Sequence, residues 1–265
     1  MKQNVIILTS GLSGSSVLTS LIARASYWAG DNTQKKEYDT YENAELVRLN
    51  LQLFEAAGFS PEFQTRGFSP EALDKICSLR ASLDLAPFRE FLNRCNDHRP
   101  WIWKDPRLWL TIRFWNNLLD LKDCRFVLLT RNQTQCWIST TLRRQIVTYK
   151  SFLIYEKLIQ ESILEFFDES RAPHLYMRYE DLLLHPVETI GQLNEFLGTA
   201  LTVGDLTAVY HKPLYKIPRS RLDLLKAISI YLKNYSERIE LVSSPRKRWS
   251  GRVYRTDAHG DSVAP

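Results

Sequence analysis

The order of strand-like and helix-like segments predicts an α/β fold in which helices flank a central parallel sheet. Two short apolar runs, Asn4 to Thr9 and Arg125 to Thr130, have the composition of strands buried on both faces. Each run is followed by a segment whose apolar residues recur at helical spacing. Strands that alternate with helices form βαβ units, so these segments are expected to share one parallel sheet.

Length and composition fit one globular domain. The chain has 265 residues, of which 44% are hydrophobic and 25% charged, and it contains no internal repeat or low-complexity linker. Residues 1–242 are therefore predicted to form a single domain, and Ser243 to Pro265 a flexible basic tail. The net charge of +5 and the pI near 9.0 suit an anionic ligand. They are too weak and dispersed to indicate nucleic-acid binding.

Cysteine usage and hydropathy predict a cytoplasmic protein. The four cysteines form no C-x-x-C pair, so they are interpreted as reduced thiols, with a disulfide as the alternative. The N-terminal apolar run, Val5 to Leu8, is too short for a signal peptide. No stretch reaches the ~18–20 apolar residues of a membrane span, so no integral membrane segment is expected.

The remaining elements follow from apolar periodicity and from Gly, Pro and Asn breakers. The polar stretch Asp31 to Asp39 is predicted to be a loop, and Ser60 to Arg66 a break. Two more strands are predicted, at Trp101 to Lys104 and His174 to Arg178. Helices are predicted at Ser15–Trp28, Ala44–Ala57, Glu71–Leu83, Pro87–Arg94, Trp109–Leu119, Thr134–Arg144, Phe152–Phe167, Val187–Leu197 and Arg219–Leu241.

The loop between the first strand and the first helix has the features of an anion site. Small residues at a helix N-terminus direct several backbone N–H groups and the positive end of the helix dipole toward one point. The Walker pattern is absent, which argues against an ordinary ATP or GTP loop. The alternative is a plain βα turn in which the serines cap the helix. The candidate phosphate-binding residues are Gly11, Leu12, Ser13, Gly14, Ser15 and Ser16.

Two further stretches place cations at strand ends. In WIWKDPRLW, Lys104 ends a strand, where open α/β sheets bind ligands; the alternative is a salt bridge among Lys104, Asp105 and Arg107. In FVLLTRNQTQCWIS, Arg131 follows a buried strand and Ser139 comes eight residues later on the next helix. A guanidinium and a hydroxyl at this spacing can reach the same phosphate.

A fourth stretch, Tyr176 to Gly198, is interpreted as structural. It is predicted to form a strand, a tight acidic turn and a helix that docks through its apolar face. Glu180 and Asp181 are expected to cap or pair locally.

These stretches, in this order, resemble the sulfotransferases that use 3'-phosphoadenylyl sulfate (PAPS), and most of all the bacterial branch of that family. The similarity extends over roughly Val5 to Gly198. The segment YENAELVRLN, which begins at Tyr41, is also similar to a family stretch whose glutamate lies near the acceptor. The matching motifs are SGSS at Ser13–Ser16, KDPRLW at Lys104–Trp109, Arg131 with Ser139, and RYEDLL at Arg178–Leu183.

The resemblance implies a three-layer P-loop-like fold and transfer of a sulfuryl group to a hydroxyl or amine, without a metal. The first loop would hold the 5'-phosphosulfate, and Arg131 and Ser139 the 3'-phosphate. Lys104 is the first candidate to stabilise charge on the leaving oxygen, while Glu42 is the first candidate for the base and Asp105 the second. The alternative for either carboxylate is a solvated surface group. The acceptor class, whether small molecule, carbohydrate or lipid, and the oligomeric state are left open.

One departure from the family pattern concerns the loop cation. The family has lysine or arginine where this chain has Leu12, so a cation has to come from elsewhere, and Lys104 is the best placed by sequence. The departure leaves open a catalytically impaired protein that binds the nucleotide or a partner. A nucleotide kinase is a third and weaker possibility, because the Walker lysine is missing. Other residues could supply the missing cation, although their spacing in the sequence does not place them near the loop: Arg107, Lys35, Lys36 and the run Arg246–Arg248.

Overall fold

A parallel four-stranded sheet forms the centre of the molecule. The computed structural model describes residues 2–35, 39–60, 70–209 and 220–238. In the described part the sheet order is β4-β1-β5-β6, with every neighbouring pair parallel, and β2 and β3 form a separate antiparallel pair. The strands are β1 (Asn4–Leu8), β2 (Thr33–Lys35), β3 (Asp39–Asn43), β4 (Ile102–Lys104), β5 (Cys124–Thr130) and β6 (His174–Arg178).

Helices connect the strands and cover the sheet. Short 3-10 turns occur at Leu79–Ala81, Leu121–Asp123 and Tyr235–Glu237. Among the described residues, none of the helices is both long and apolar enough to cross a bilayer. The helices are α1 (Ser15–Ala23), α2 (Ala44–Ala56), α3 (Pro70–Ser78), α4 (Ala86–Asp97), α5 (Leu108–Trp115), α6 (Gln133–Leu142), α7 (Tyr149–Ser170), α8 (Tyr179–Leu184), α9 (Pro186–Leu197), α10 (Val203–Val209) and α11 (Arg221–Lys233).

Alternate side chains of the central strands enter two separate apolar cores, which makes the fold three-layered. On β1, Ile6 packs into a core built by α2 to α7, whereas Ile7 packs into a second core built by α1, α8, α9 and α10. Phe126 and Val127 of β5 divide in the same way. A strand buried on both faces needs apolar residues at every position, which is the pattern in the sequence. The predicted α/β fold with a central parallel sheet is confirmed.

Several predicted boundaries were wrong. The first helix ends at Ala23 rather than Trp28, because Ser26 has a φ of 68° and Trp28 forms a parallel bridge with Trp101. The predicted loop Asp31–Asp39 contains β2 and the start of β3, a polar pair without the apolar alternation that predicts strands. The acidic turn after β6 is the helix α8, and α10 was not predicted.

The last described helix is α11, which packs against α6. It begins with a capping box between Ser220 and Asp223 and ends at Lys233, well short of the predicted Leu241. The predicted tail from Ser243 lies outside the described residues, as do positions 61–66 of the predicted break.

Candidate functional site

The loop between β1 and α1 has a left-handed backbone at three positions. Gly11, Leu12 and Gly14 have φ values of 95°, 52° and 85°. Inside the loop, the hydroxyls of Thr9 and Ser13 share a hydrogen bond, and the Gly11 N–H donates to Thr9 Oγ1 at 3.2 Å. This backbone turns sharply into the N-terminus of α1, the position at which proteins commonly bind anions.

Position 14 requires glycine for two reasons: its left-handed backbone and a close neighbouring side chain. It is the N-cap residue of α1, and a Cβ at this position would lie 2.3 Å from the ring of Tyr179. Tyr179 is the buried first residue of α8, so the strand–helix connection after β6 supports the loop from below. The SGSS motif and the RYEDLL motif therefore meet in space.

Lys104 lies beside the loop because β4 runs parallel to β1. It pairs in register with Ile7, one residue before the end of β1. Its ammonium forms an ion pair with Glu42 and donates to Ser16 Oγ at 3.5 Å and to the Thr40 carbonyl at 3.4 Å. The Lys104 residue is only 5% exposed, so its charge is concentrated at this corner of the site. The structure thus brings together the predicted charge-stabilising residue and the first candidate for the base.

Asp105, the second candidate for the base, is in a different environment. It is fully buried, and Asn50 Nδ2 donates to its Oδ2 at 2.8 Å. The backbone N–H and the guanidinium of Arg107 both donate to Oδ1 at 2.9 Å. A carboxylate with both oxygens occupied and no exposed surface holds the turn after β4 in place. The guanidinium of Arg107 is paired with Asp105 here and is not directed at the loop by any described contact.

Arg131 reaches the loop directly. Its Nη1 donates to the Leu12 carbonyl at 3.2 Å, and its guanidinium lies 5.2 Å from the centroid of the Tyr179 ring. Its Nε is buried and has no hydrogen-bond partner among the described residues. The guanidinium of Arg131 therefore contacts the backbone of the loop at Leu12. The other candidate cations, namely the Lys35 side chain, Lys36 and Arg246–Arg248, lie outside what the structure describes.

Ser139 lies on α6, two turns after Arg131, and is 4% exposed. The helix starts at Gln133 because the Asn132 side chain caps it, accepting from the Gln135 N–H at 3.2 Å. The Asn132 N–H in turn donates to Glu180 Oε1 at 3.0 Å. The expectation that Glu180 would pair only locally was therefore wrong, because it joins the ends of two adjacent strands.

A buried carboxyl behind the loop was missed by the sequence analysis. Glu156 of α7 is 3% exposed and accepts a hydrogen bond from Ser10 Oγ at 2.7 Å. Burial raises its pKa to about 7, although the Ser10 hydrogen bond opposes the shift. A signal was present, since Glu156 falls on the same helical stripe as Phe152, Ile159 and Ile163, where the other residues are apolar.

A cleft of about 360 Å³ lies between α1, α10 and the β3 residues Asp39 and Tyr41. Asp39 is fixed by Thr33 Oγ1 and by the Tyr41 N–H, each at 2.8 Å, and Tyr41 has a left-handed φ of 54°. From the α1 region the cleft takes residues near the C-terminal end of the helix, away from the loop. It is lined by Ser20, Ala23, Arg24, Asp39, Tyr41, Ala208 and Val209.

The three tryptophans around Lys104 are part of the core. Trp101, Trp103 and Trp109 are each at most 1% exposed, and the first two stack with centroids 4.5 Å apart. They set the position of β4 and do not line the cleft. Among the described residues, no three metal-ligating side chains come together, and the absence of a metal stays a prediction.

Comparison with solved structures finds sulfotransferases to which the chain is similar. The sulfotransferase domain from the curacin biosynthetic pathway is 18% identical, with a TM-score of 0.52 over 93% of this chain and 94% of that domain. The sulfotransferase domain of the Synechococcus PCC 7002 olefin synthase is 18% identical, with a TM-score of 0.45 and coverage of 88% and 96%. Sulfotransferase STF9 from Mycobacterium avium is 15% identical, with a TM-score of 0.46 and coverage of 91% and 78%.

The likeness to the curacin domain shows that this chain has the fold of sulfotransferases. The resemblance stated from the sequence is confirmed at the level of the fold. No family model matches the sequence, and no curated protein matches it.

Proposed function

We propose that the protein transfers the sulfuryl group of PAPS to a hydroxyl or amine of a small-molecule, carbohydrate or lipid acceptor, releasing 3',5'-phosphoadenosine (PAP). The observation that carries this proposal is the ion pair between the buried Lys104 and the partly buried Glu42, beside Ser16 of the loop. A cation for the leaving oxygen and a carboxylate for the acceptor proton lie side by side at an anion-binding loop. That is the arrangement that sulfuryl transfer requires.

The nucleotide would be held by the loop and by the end of β5. The backbone of Gly11 to Ser16 would bind the 5'-phosphosulfate, with the dipole of α1 behind it. Arg131, whose Nε has no hydrogen-bond partner among the described residues and whose guanidinium lies above Tyr179, would bind the 3'-phosphate together with Ser139. This division of the two phosphates follows the family pattern.

The reaction can be written with the residues at the corner. Glu42 accepts the proton of the acceptor hydroxyl or amine as that atom bonds to sulfur. The bond between sulfur and the bridging oxygen breaks, and its electron pair remains on the phosphate of PAP. Lys104 stabilises the developing charge on that oxygen. The cleft lined by Tyr41 is the proposed place for the body of the acceptor, since Tyr41 directly precedes Glu42 in the chain.

We also propose a cytoplasmic location. All four cysteines are free thiols in the structure, and burial raises the pKa of Cys95 and of Cys124 to about 12. Buried thiols of this kind are packing residues rather than nucleophiles or metal ligands.

Calorimetric titration with PAP tests the nucleotide site. We expect binding by the wild-type protein and a loss of at least a hundredfold in affinity for Arg131→Ala, because this change removes a charge-assisted contact to phosphate. Arg89→Ala, on the exposed face of α4, is the matched control and should bind as the wild type does. Equal affinity in all three proteins would refute the assigned site. Phosphoryl transfer from ATP with Mg²⁺ would instead favour the kinase alternative.

The catalytically impaired alternative is favoured by one observation, the leucine at position 12. Because Arg131 already contacts the Leu12 carbonyl and Lys104 contacts Ser16, we expect that Leu12→Arg will not raise the turnover number by more than about twofold. Leu222→Arg on the exposed side of α11 controls for the added charge. A gain of tenfold or more in sulfuryl transfer would show that the native loop lacks a cation it needs.

A further inference from the structure

Glu156 is a buried ionisable group that the proposed mechanism does not use. It lies on α7 behind the loop, and its Oε2 accepts the hydrogen bond of Ser10 Oγ at 2.7 Å. Among the described residues, the charge of Glu156 acts on Tyr155 of its own helix and on Cys136 of α6. Burial raises the pKa of both well above the physiological range, so both are neutral. Arg131 and Glu180 are the charged groups that act on Cys136 from the strand ends.

We propose that Glu156 is a positioning residue of the phosphate loop that takes up a proton when the loop binds the nucleotide. The inference rests on the proposed function, because it requires that the loop between β1 and α1 binds phosphate. The inference goes further by stating that nucleotide binding is accompanied by the uptake of one proton. It assigns that proton to Glu156, which lies outside the sequence motifs of the loop.

The hydrogen-bond chemistry of the pair gives the reason. An ionised carboxylate only accepts, so the hydroxyl proton of Ser10 is committed to Glu156 while the carboxyl is charged. A protonated carboxyl can donate to Ser10 Oγ, which leaves the Ser10 hydroxyl free to donate to an anion. The neutral form also removes a negative charge from behind a loop that has no lysine or arginine of its own.

The position of this equilibrium makes the effect measurable. Burial holds the pKa of Glu156 near 7, so the carboxyl is mostly neutral below pH 7 and mostly ionised above it. A phosphate monoester has its second pKa at about 6 and is fully ionised above pH 7.5. Between about pH 7.5 and pH 9 the affinity for PAP should therefore fall as pH rises, by up to roughly tenfold per pH unit.

Calorimetry of PAP binding at pH 8 in buffers of different ionisation enthalpy tests the proposal. We expect the wild-type protein to take up about one proton per PAP bound, and its affinity to fall at least tenfold from about pH 7.5 to pH 9. Glu156→Gln should bind PAP with no proton uptake and a nearly flat pH profile. Glu161→Gln, an exposed carboxyl on the same helix, is the matched control and should behave as the wild type does.

Each outcome decides between the proposals. An equal pH slope and equal proton uptake in wild type and Glu156→Gln would overturn the role of Glu156 while leaving the nucleotide site intact. Absence of PAP binding by the folded wild-type protein across the pH range would overturn both proposals. If Glu156→Gln does not fold, infrared difference spectra of the wild type decide. A protonated-carboxyl band that appears on PAP binding at pH 8 is expected, and its absence would refute the proposal.

Discussion

Lys104→Met is expected to lower the turnover number for sulfuryl transfer by about 10²–10³-fold, which corresponds to about 3–4 kcal/mol of transition-state stabilisation. The Lys104 residue is 5% exposed and its ammonium contacts both Ser16 and Glu42, so the charge that the change removes lies directly beside the loop. Methionine keeps most of the side-chain volume and removes only the charge. Steady-state kinetics with saturating PAPS would measure the effect.

Two comparisons separate catalysis from folding in this experiment. Lys157→Met removes an exposed ammonium from α7 and should leave turnover unchanged. Lys104→Met also leaves the Glu42 carboxylate without its ion pair, so the double variant Lys104→Met with Glu42→Gln should lose much less than the sum of the single losses. A turnover number within fivefold of wild type for Lys104→Met, in a protein that still binds PAP, would contradict the assigned role.

The fold could be predicted because its central strands carry a strong signal. A strand buried on both faces must be apolar at every position, and β1 and β5 satisfy this with Val5–Leu8 and Phe126–Leu129. The positions of Lys104 and Arg131 at strand ends follow from the same pattern, since parallel strands bring their carboxyl ends to one edge of the sheet.

The missed features depend on contacts between distant residues. The strands β2 and β3 are polar, and a hydrogen bond between the side chains of Thr33 and Asp39 joins them. Such a contact leaves no apolar periodicity in the sequence. The burial of Asp105 depends on Asn50, which is 55 residues away in sequence. The contact between Arg131 and the Leu12 carbonyl spans 119 residues. A motif places such residues at an edge of the sheet, but the packing of the helices decides what each one touches.

The largest structural effect is expected at Gly14. Gly14→Ala places a Cβ 2.3 Å from two ring atoms of Tyr179, at a residue whose φ of 85° already disfavours any side chain. The backbone strain of a left-handed alanine is about 1–2 kcal/mol, and overpacking against a buried ring adds about 1–3 kcal/mol. We therefore expect the free energy of unfolding to fall by about 2–5 kcal/mol, as measured by urea denaturation.

A second glycine separates the two contributions. Gly58 has a similar φ of 75°, but a Cβ there would meet nothing within 4 Å, so Gly58→Ala should show the backbone strain alone. If Gly14→Ala and Gly58→Ala destabilise the protein equally, the contact with Tyr179 has no structural weight.

The affinity for PAP should also depend on the contact between Gly14 and Tyr179. The Tyr179 ring lies under the Arg131 guanidinium, 5.2 Å from its centroid, so a displaced ring also moves the proposed ligand of the 3'-phosphate. Gly14→Ala should therefore weaken PAP binding at least tenfold under conditions in which the protein remains folded, whereas Gly58→Ala should not. Adding Tyr179→Ala to Gly14→Ala should recover stability relative to the sum of the two single changes, because the space for the Cβ is restored. Binding would stay weak in that double variant, since Arg131 has lost the ring that positions it. A change at Gly14 is thus expected to disturb both the loop and Arg131, because the Tyr179 ring contacts both.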